Sequence, residues 1–276
     1  MSRPRSADPS AHGTEHPRGA PLRVVLDFDG TLVEPNVAIL LVTEFARDGP
    51  AVAHEIDQLL HEGRIGLREA WQRQAALLPG DRVPEMARYV REHVPLRGRA
   101  HDFLALARDH AVPVTVVSGG LDFYIREVLD REHLDLPIRS DALEHLPDGS
   151  VQVVHPFGHA SCRLCGICKA QIVEDRPPSE QTVFIADGST DRYGAETADI
   201  VFARHRLLDY CRRVGIPCYP FEDFGPVTDQ FRRWLERVEP LPERRARGRP
   251  ESSCPISQSL SRLAQPGPVG SPGRAN

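Results

Sequence analysis

The sequence predicts an α/β fold, with a Rossmann-like parallel sheet and a helical cap inserted after the first strand. Three short apolar runs, LRVVLDF, PVTVVSG and TVFIAD, each end in a polar loop. Continuous runs of β-branched residues are typical of strands buried on both faces, as in parallel sheets. The chain between the first two runs is longer than one crossover helix requires, and its apolar residues recur at helical spacing. This excess predicts the cap.

Composition limits the partners that we expect. The 276 residues carry a net charge of -5, so neither nucleic acid nor a membrane is a favoured partner. No apolar run approaches the roughly 20 residues that span a bilayer, and the N-terminus lacks the apolar segment of a secretory signal. We therefore expect a cytoplasmic protein whose six cysteines are mostly reduced.

The pattern divides the chain into four kinds of segment. The predicted segments are a disordered tail at 1–20, a sheet domain formed by 21–34 and 97–239, a cap at 35–96 and a second disordered tail at 240–276. Both tails are rich in breakers and lack sustained apolar periodicity. Within the sheet domain, ALEHLPDGSVQVVHPF predicts a hairpin that turns at Asp148-Gly149 and could lie beside the site.

Two carboxylates follow the first predicted strand. DFDGT places Asp27 and Asp29 two residues apart, and a loop there can turn one beside the other. Adjacent carboxylates repel, which favours a shared proton or a divalent cation between them. A capped turn without function is the alternative.

The next two strands also end in polar groups. SGG at 118–120 precedes an amphipathic helix and could form an anion-binding nest, although a plain glycine turn explains it equally well. ADGSTD places Asp187 at a strand end, where it could complete a hard-cation site with the first two carboxylates. A capped helix start, with Asp191 as a first-turn acid, is the alternative.

The order of these groups resembles a known superfamily. DFDGT, VVSGG, Lys169 and ADGSTD match in order the four motifs of the haloacid dehalogenase superfamily. The position of the cap resembles subfamily IB. VVSGGLDFYI, CRLCGICKAQIVE, FARHRLLDYCR and FEDF are similar, over roughly Leu22 to Trp234, to the methionine-salvage phosphatases that act on 2-hydroxy-3-keto-5-methylthiopentenyl-1-phosphate. Two positions depart: Ala186 replaces the usual Gly, and Asn36 stands where phosphoserine phosphatases carry Glu.

The resemblance implies a magnesium-dependent phosphomonoesterase that acts on a small phosphorylated metabolite. Asp27 would attack phosphorus and become an aspartyl phosphate, while Asp29 would protonate the leaving alcohol and then activate water. Magnesium would be held by the Asp27 side chain, the Asp29 carbonyl and the Asp187 side chain, with Asp191 in the surrounding shell. The residues implied to bind the phosphoryl oxygens are Thr31, Ser118, Gly119 and Lys169.

Cysteines precede the lysine at C-x-x-C-x-x-C spacing. Cys162, Cys165 and Cys168 could form a structural zinc site with His155 or His159. The alternative is a group of reduced cysteines that packs the loop leading to Lys169. The other cysteines are interpreted as core residues, Cys211 and Cys218, and as a residue of the tail, Cys254.

Several functional alternatives stay open from the sequence. The substrate could be phosphoserine, phosphocholine or phosphoethanolamine, and the acceptor could be a group other than water. A different class is a non-catalytic zinc-binding module of the same fold. The cap could also form a homodimer surface. Its arginines Arg64, Arg68 and Arg73 are candidates for holding a polar substrate tail, and none is assigned.

Overall fold

A computed structural model describes residues 22–46, 49–147 and 151–263, without the side chain of His61. The tail expected at 1–20 and the turn expected at Asp148-Gly149 lie outside these residues.

Strands and helices alternate along most of the described chain. The strands are β1 Leu22–Leu26, β2 Val114–Leu121, β3 Ile138–His145, β4 Val151–Val154, β5 Gln181–Ala186, β6 Ile200–Ala203 and β7 Tyr219–Pro220. The helices are α1 Val37–Phe45, α2 Gly49–His61, α3 Leu67–Ala75, α4 Val83–His93, α5 Ala100–Asp109, α6 Asp122–Arg131, α7 Lys169–Glu174, α8 Arg192–Thr197, α9 His205–Val214, α10 Phe224–Leu235 and α11 Pro255–Leu263.

These strands form one sheet in the order β4-β3-β2-β1-β5-β6-β7. Neighbouring strands are parallel except β3 and β4, which form an antiparallel hairpin. The predicted α/β fold with a parallel sheet is therefore confirmed, and the three predicted apolar runs are its central strands β2, β1 and β5.

The central strands are buried on both faces, as their continuous apolar runs predict. Successive side chains of a strand point to opposite faces. Val24 and Leu26 accordingly pack in the cluster that contains α5, α6 and α10, whereas Val25 packs with α7, α8 and α9. This double burial explains why these runs do not alternate with polar residues.

Four helices, α1 to α4, are inserted between β1 and α5, in the interval 35–96 where the sequence predicts a cap. The first of them is capped by Asn36, whose side-chain oxygen accepts a hydrogen bond from the Ile39 amide at 3.1 Å. In the described part of the chain, no helix combines the length and apolar character needed to cross a membrane.

The structure departs from the disorder expected at 240–276. Residues 240–263 lie against the sheet domain and include α11, in which the Ser257 side chain is completely buried. Much of this contact consists of hydrogen bonds and ion pairs, such as the 2.5 Å contact between Arg247 Nη1 and Glu174 Oε2. Polar contacts of this kind have no periodic pattern, so a search for hydrophobic periodicity does not detect them.

Candidate active site

The site lies where the carboxyl ends of β1, β2 and β5 meet, which is where open α/β sheets bind ligands. Leu26 pairs with Ile185 in register, so Asp27 and Asp187 leave adjacent strands almost side by side. The hydroxyl group of Ser118 reaches the same edge from β2. The sheet thus brings together groups separated by up to about 160 residues of sequence.

A glycine allows the first loop to approach Asp187 closely. Gly30 has a φ of +75°, in the left-handed region that disfavours other residues. A Cβ atom at this position would also lie 2.5 Å from Asp187 Oδ2. Next to it, Thr31 Oγ1 donates a hydrogen bond to Asp187 Oδ1 at 3.2 Å. The hydroxyl that was expected to bind phosphate therefore lies on a carboxylate of the site.

Three carboxylates form a cluster at the centre of the site. Asp27, Asp187 and Asp191 each place one oxygen within 4.8 Å of the others. Burial raises the pKa of Asp187 to about 6, and the charge of Asp191 adds to the effect. Burial, and then Asp191, also raise the pKa of Asp27 well above its ordinary value. Carboxylate oxygens are the ligands that a hard divalent cation such as Mg²⁺ prefers, and a cation among them would offset their repulsion. The cluster therefore fits the expected metal.

Lys169 lies at the first position of α7 and bridges this cluster. Its Nζ atom is 2.5 Å from Asp27 Oδ1 and also donates to Asp191 Oδ1. Burial by itself lowers the pKa of Lys169, but the charges of Asp191 and Asp27 outweigh burial and raise it. The amine is therefore held as a cation beside the carboxylates.

Asp29 is directed toward different partners. Its Oδ2 accepts hydrogen bonds from Tyr124 Oη at 2.9 Å and from Ser118 Oγ at 3.1 Å. Its Oδ1 accepts one from the amide of Val37, at the start of α1, at 2.8 Å. Burial raises the pKa of Asp29, and these three bonds oppose the rise. A partly buried carboxyl with a raised pKa is suited to carrying a proton during catalysis.

Tyr124 was not singled out by the sequence. It lies on the apolar face of α6, in a stretch that reads as an ordinary amphipathic helix, and its side chain is fully buried. A tyrosine on such a face is expected to be a core residue. The pairing of its hydroxyl with Asp29 depends on how α6 packs, so nothing in the local sequence indicates it.

Two arginines that the sequence did not indicate hold the first loop. Arg97 donates to the carbonyl oxygens of Gly30 and Thr31, both at 2.8 Å, and Arg204 donates to the Gly30 carbonyl at 2.8 Å. Both side chains are buried. The loop carbonyls point to these guanidinium groups, which fixes the direction in which the loop leaves the sheet.

The cap contacts the second motif directly. Trp71 of α3 donates its indole N–H to the carbonyl oxygen of Gly119. Leu67 packs so closely there that a Cβ atom on Gly119 would lie 2.7 Å from its Cδ2. Glycine at 119 therefore allows the cap to close on the site.

A cavity of about 410 Å³ lies between the cap and the carboxylate cluster. Its apolar wall comes from the cap, with the side chains of Ala38, Ile39, Ile56, Leu60, Leu67, Ala70 and Trp71. Asp57 and Arg206 also line it, 3.8 Å apart. Among the described residues, Arg64, Arg68 and Arg73 are absent from the lining, so the structure gives them no role as holders of a substrate tail.

The structure does not support the zinc site considered for Cys162, Cys165 and Cys168. In the described part of the chain, these thiols do not bring three ligand atoms within 4.8 Å of one another, as the carboxylates do. Cys165 and Cys168 instead pack with Cys254, which lies in residues 240–263. Burial raises the pKa of Cys165 to about 12. The Nδ1 atom of His155, a candidate zinc ligand, lies 3.0 Å from Oδ1 of Asp141. These contacts agree with the alternative, in which reduced cysteines pack the loop that leads to Lys169.

Comparison with known proteins identifies the family. The model of the haloacid dehalogenase-like hydrolases matches residues 24–196. A 2-hydroxy-3-keto-5-methylthiopentenyl-1-phosphate phosphatase of Geobacillus kaustophilus is 32% identical, over 75% of this chain and 94% of its own length. The enzyme of the same name from Exiguobacterium sibiricum is 28% identical, over 76% of this chain and 96% of its own.

Solved structures agree in fold. A phosphoserine phosphatase, solved as an analogue of its phospho-aspartyl intermediate, has a TM-score of 0.58 at 18% identity, covering 77% of this chain and 99% of its own. A phosphoserine phosphohydrolase-like protein from Francisella tularensis has the same TM-score at 20% identity, covering 75% of this chain and 98% of its own. The family match and the relatives at 28% and 32% identity set aside a non-catalytic module. The chain therefore belongs to the haloacid dehalogenase-like hydrolase family, as one of its phosphatases.

Proposed function

We propose that this phosphatase is magnesium-dependent, forms an aspartyl phosphate on Asp27, and hydrolyses 2-hydroxy-3-keto-5-methylthiopentenyl-1-phosphate. The observation that carries the proposal is the convergence of Asp27, Asp187 and Asp191 beneath a cavity whose cap-side wall is apolar. The names of the relatives, at 28% and 32% identity, support the substrate.

The metal would be held by the side chains of Asp27 and Asp187 and by the carbonyl of Asp29, with Asp191 beside them. When bound, the cation would offset the negative charge of the phosphate and favour the ionised form of Asp27. Without the cation, burial and the charge of Asp191 raise the pKa values of Asp27 and Asp187.

In the first step, a carboxylate oxygen of Asp27 attacks phosphorus. A bond between this oxygen and phosphorus forms as the bond between phosphorus and the substrate's ester oxygen breaks. Asp29 then transfers its proton to the departing oxygen, which is why a raised pKa matters at this residue.

In the second step, Asp29 accepts a proton from water, and the water oxygen attacks the phosphorus of the aspartyl phosphate. Inorganic phosphate leaves, and the Asp27 carboxylate is regenerated. The net change is one ester bond cleaved by one water, with both carboxyl groups returned to their starting states.

The phosphoryl oxygens would be bound by Ser118, the Gly119 amide and Lys169, whereas the Thr31 hydroxyl would hold the Asp187 carboxylate. The Lys169 ammonium already lies at hydrogen-bonding distance from Asp27. A cation held there offsets the charge that builds up on the phosphoryl oxygens in the transition state.

The apolar wall favours a substrate with an uncharged tail, because moving a methylthio group from water to an apolar surface makes the free energy of binding more favourable. Asn36 uses its side-chain oxygen to cap α1, so it is not arranged as a partner for an ammonium group. One observation favours a second candidate: the oppositely charged Asp57 and Arg206 line the cavity and could receive a zwitterion such as phosphoserine.

The test is phosphate release from a panel of substrates, with magnesium or with a chelator. The panel holds the methylthiopentenyl phosphate, phosphoserine, phosphocholine and phosphoethanolamine. We expect magnesium-dependent release, highest for the first substrate, and loss of release in Asp27→Asn. A preference for phosphoserine would establish the second candidate, and no release from any substrate would overturn the proposal.

The same assay separates hydrolysis from transfer when an acceptor alcohol is added. Hydrolysis gives equal amounts of inorganic phosphate and dephosphorylated product, whereas transfer gives a deficit of inorganic phosphate. The cytoplasmic location and a homodimer formed through the cap stay predictions.

A further inference from the structure

The segment 240–263 lies beyond the residues that the family model matches, which end at 196. It runs across two short helices of the sheet domain, α7 and α8, each of six residues. Lys169 is the first residue of α7, and Asp191 directly precedes α8. The distance between these two side chains therefore depends on how the two helices are held relative to each other.

Two contacts connect the segment to α7. Arg247 Nη1 lies 2.5 Å from Glu174 Oε2, at the last residue of the helix. At the other end, Cys254 packs against Cys168 and Ala170, on either side of Lys169. Both ends of α7 are thus in contact with the segment.

The segment is bonded to α8 through Glu196, whose side chain is almost completely buried. Ser252 Oγ donates to Glu196 Oε2 at 2.6 Å, and the amide of Gly248 donates to the Glu196 carbonyl at 2.8 Å. The other carboxylate oxygen of Glu196 accepts from the Tyr210 hydroxyl of α9. Arg245 adds a bond to the carbonyl of Ala195. These bonds restrain α8 at the end opposite Asp191.

A helix of six residues has little stability of its own in water, and its position depends on tertiary contacts. We infer that residues 240–263 form a C-terminal clasp that holds α7 and α8 together and so positions Lys169 and Asp191 for catalysis. None of the described residues 240–263 lines the cavity above the carboxylate cluster, so they are positioning residues. The inference rests on the proposed function, in which Lys169 binds the phosphoryl group.

The test compares four variants of the whole chain. Ser252→Ala removes the hydroxyl that bonds to Glu196, and Arg247→Ala removes the ion pair with Glu174. The control is Arg244→Ala, which belongs to the same segment but donates to the carbonyl of Glu180, outside both helices, at 2.6 Å. Arg247→Lys keeps the positive charge and serves as the conservative variant.

We expect kcat, measured well below the melting temperature, to fall about tenfold in Ser252→Ala and Arg247→Ala, since a 1 Å misplacement of a catalytic group can cost about 100-fold. The value of KM should change less, Arg247→Lys should recover part of the loss, and the control should stay close to the wild type. Amide hydrogen exchange should be faster in residues 169–174 and 192–197 of the two clasp variants only.

A purely structural role predicts a lower melting temperature with an unchanged kcat, and that result in both clasp variants would overturn the inference. If the wild type releases no phosphate, the proposed function fails. Hydrogen exchange then still decides whether the segment restrains α7 and α8: unchanged exchange in both helices would overturn the clasp, and faster exchange would retain it as a brace.

Discussion

Replacing Asp187 by Asn is expected to stabilise the metal-free protein at neutral pH. The folded structure holds this carboxyl group beside Asp191 in a buried cluster, and its pKa is raised to about 6. Asparagine keeps an oxygen that can accept the hydrogen bond from Thr31 but carries no charge. The substitution therefore removes a buried charge, together with its repulsion by Asp191, and leaves the hydrogen bond from Thr31 in place.

The size and sign follow from the two pKa values. A folded-state pKa of about 6 lies above the ordinary value of 3.8, so the folded protein binds this proton more tightly than the unfolded chain does. Stability is therefore lost as the pH rises from about 4 to about 6, and the loss is complete above that range. At 1.36 kcal/mol for each pH unit of difference, ionised Asp187 costs the metal-free fold about 3 kcal/mol.

The assay is urea unfolding of the metal-free wild type, Asp187→Asn and the control Asp81→Asn, whose side chain is exposed on the cap. At about pH 7.5 we expect the Asp187 variant to gain about 3 kcal/mol in the free energy of unfolding, and the gain should shrink toward zero near pH 4. Saturating magnesium should stabilise the wild type and the control but not the Asp187 variant, because a ligand stabilises only the state that binds it.

Two results would refute this reasoning. If Asp187→Asn unfolds more easily than the wild type without metal at neutral pH, burial and the charge of Asp191 do not destabilise the ionised Asp187 carboxylate. If magnesium stabilises all three proteins equally, the cation does not bind at the cluster.

Three further changes test the surroundings of the cluster. Tyr124→Phe removes a hydrogen bond that lowers the pKa of Asp29, so the alkaline limb of the kcat/KM profile should move to higher pH. An unmoved limb would argue against Asp29 as the acid. Arg97→Lys loses the planar guanidinium group that binds the loop carbonyls. Measured by urea unfolding, the free energy of unfolding should fall by about 2 to 3 kcal/mol, and a loss below about 0.5 kcal/mol would contradict this role. Trp71→Phe loses the indole bond between the cap and Gly119 and should raise KM about fivefold in steady-state kinetics with a smaller change in kcat; a fall in kcat alone would contradict a cap-closing role.

The fold was readable from the sequence because its signals are local. Each central strand is a continuous apolar run, and each run ends in its polar group, so a short window contains both the strand and the chemistry that follows it. Parallel strands present their carboxyl ends at one edge of the sheet. For this reason the convergence of Asp27, Ser118 and Asp187 could be predicted without coordinates, and their order along the chain indicated the family.

The partners of these groups were not readable. Asp29 bonds to Tyr124 across 95 residues, and Arg204 bonds to the Gly30 carbonyl across 174 residues. When only the neighbouring sequence is known, such an arginine cannot be told from an ordinary surface residue. Such a tyrosine cannot be told from an ordinary core residue. The cysteines show the opposite case, in which a local signal is present but the tertiary arrangement is not. Their spacing is typical of a zinc site, yet in this structure the thiols pack a loop.

The sequence by itself determined the sheet, because burial on both faces is visible in the residues of each strand. It also predicted helices at 35–96 and carboxylates at the strand ends, because each of these signals lies within a short stretch of chain. Tertiary structure alone decided which hydroxyl group meets Asp29, which guanidinium groups hold the first loop, and that residues 240–263 are ordered. These features depend on single polar contacts between distant parts of the chain. Such contacts form only after the apolar core has set the positions of the helices, and they leave no period in the sequence.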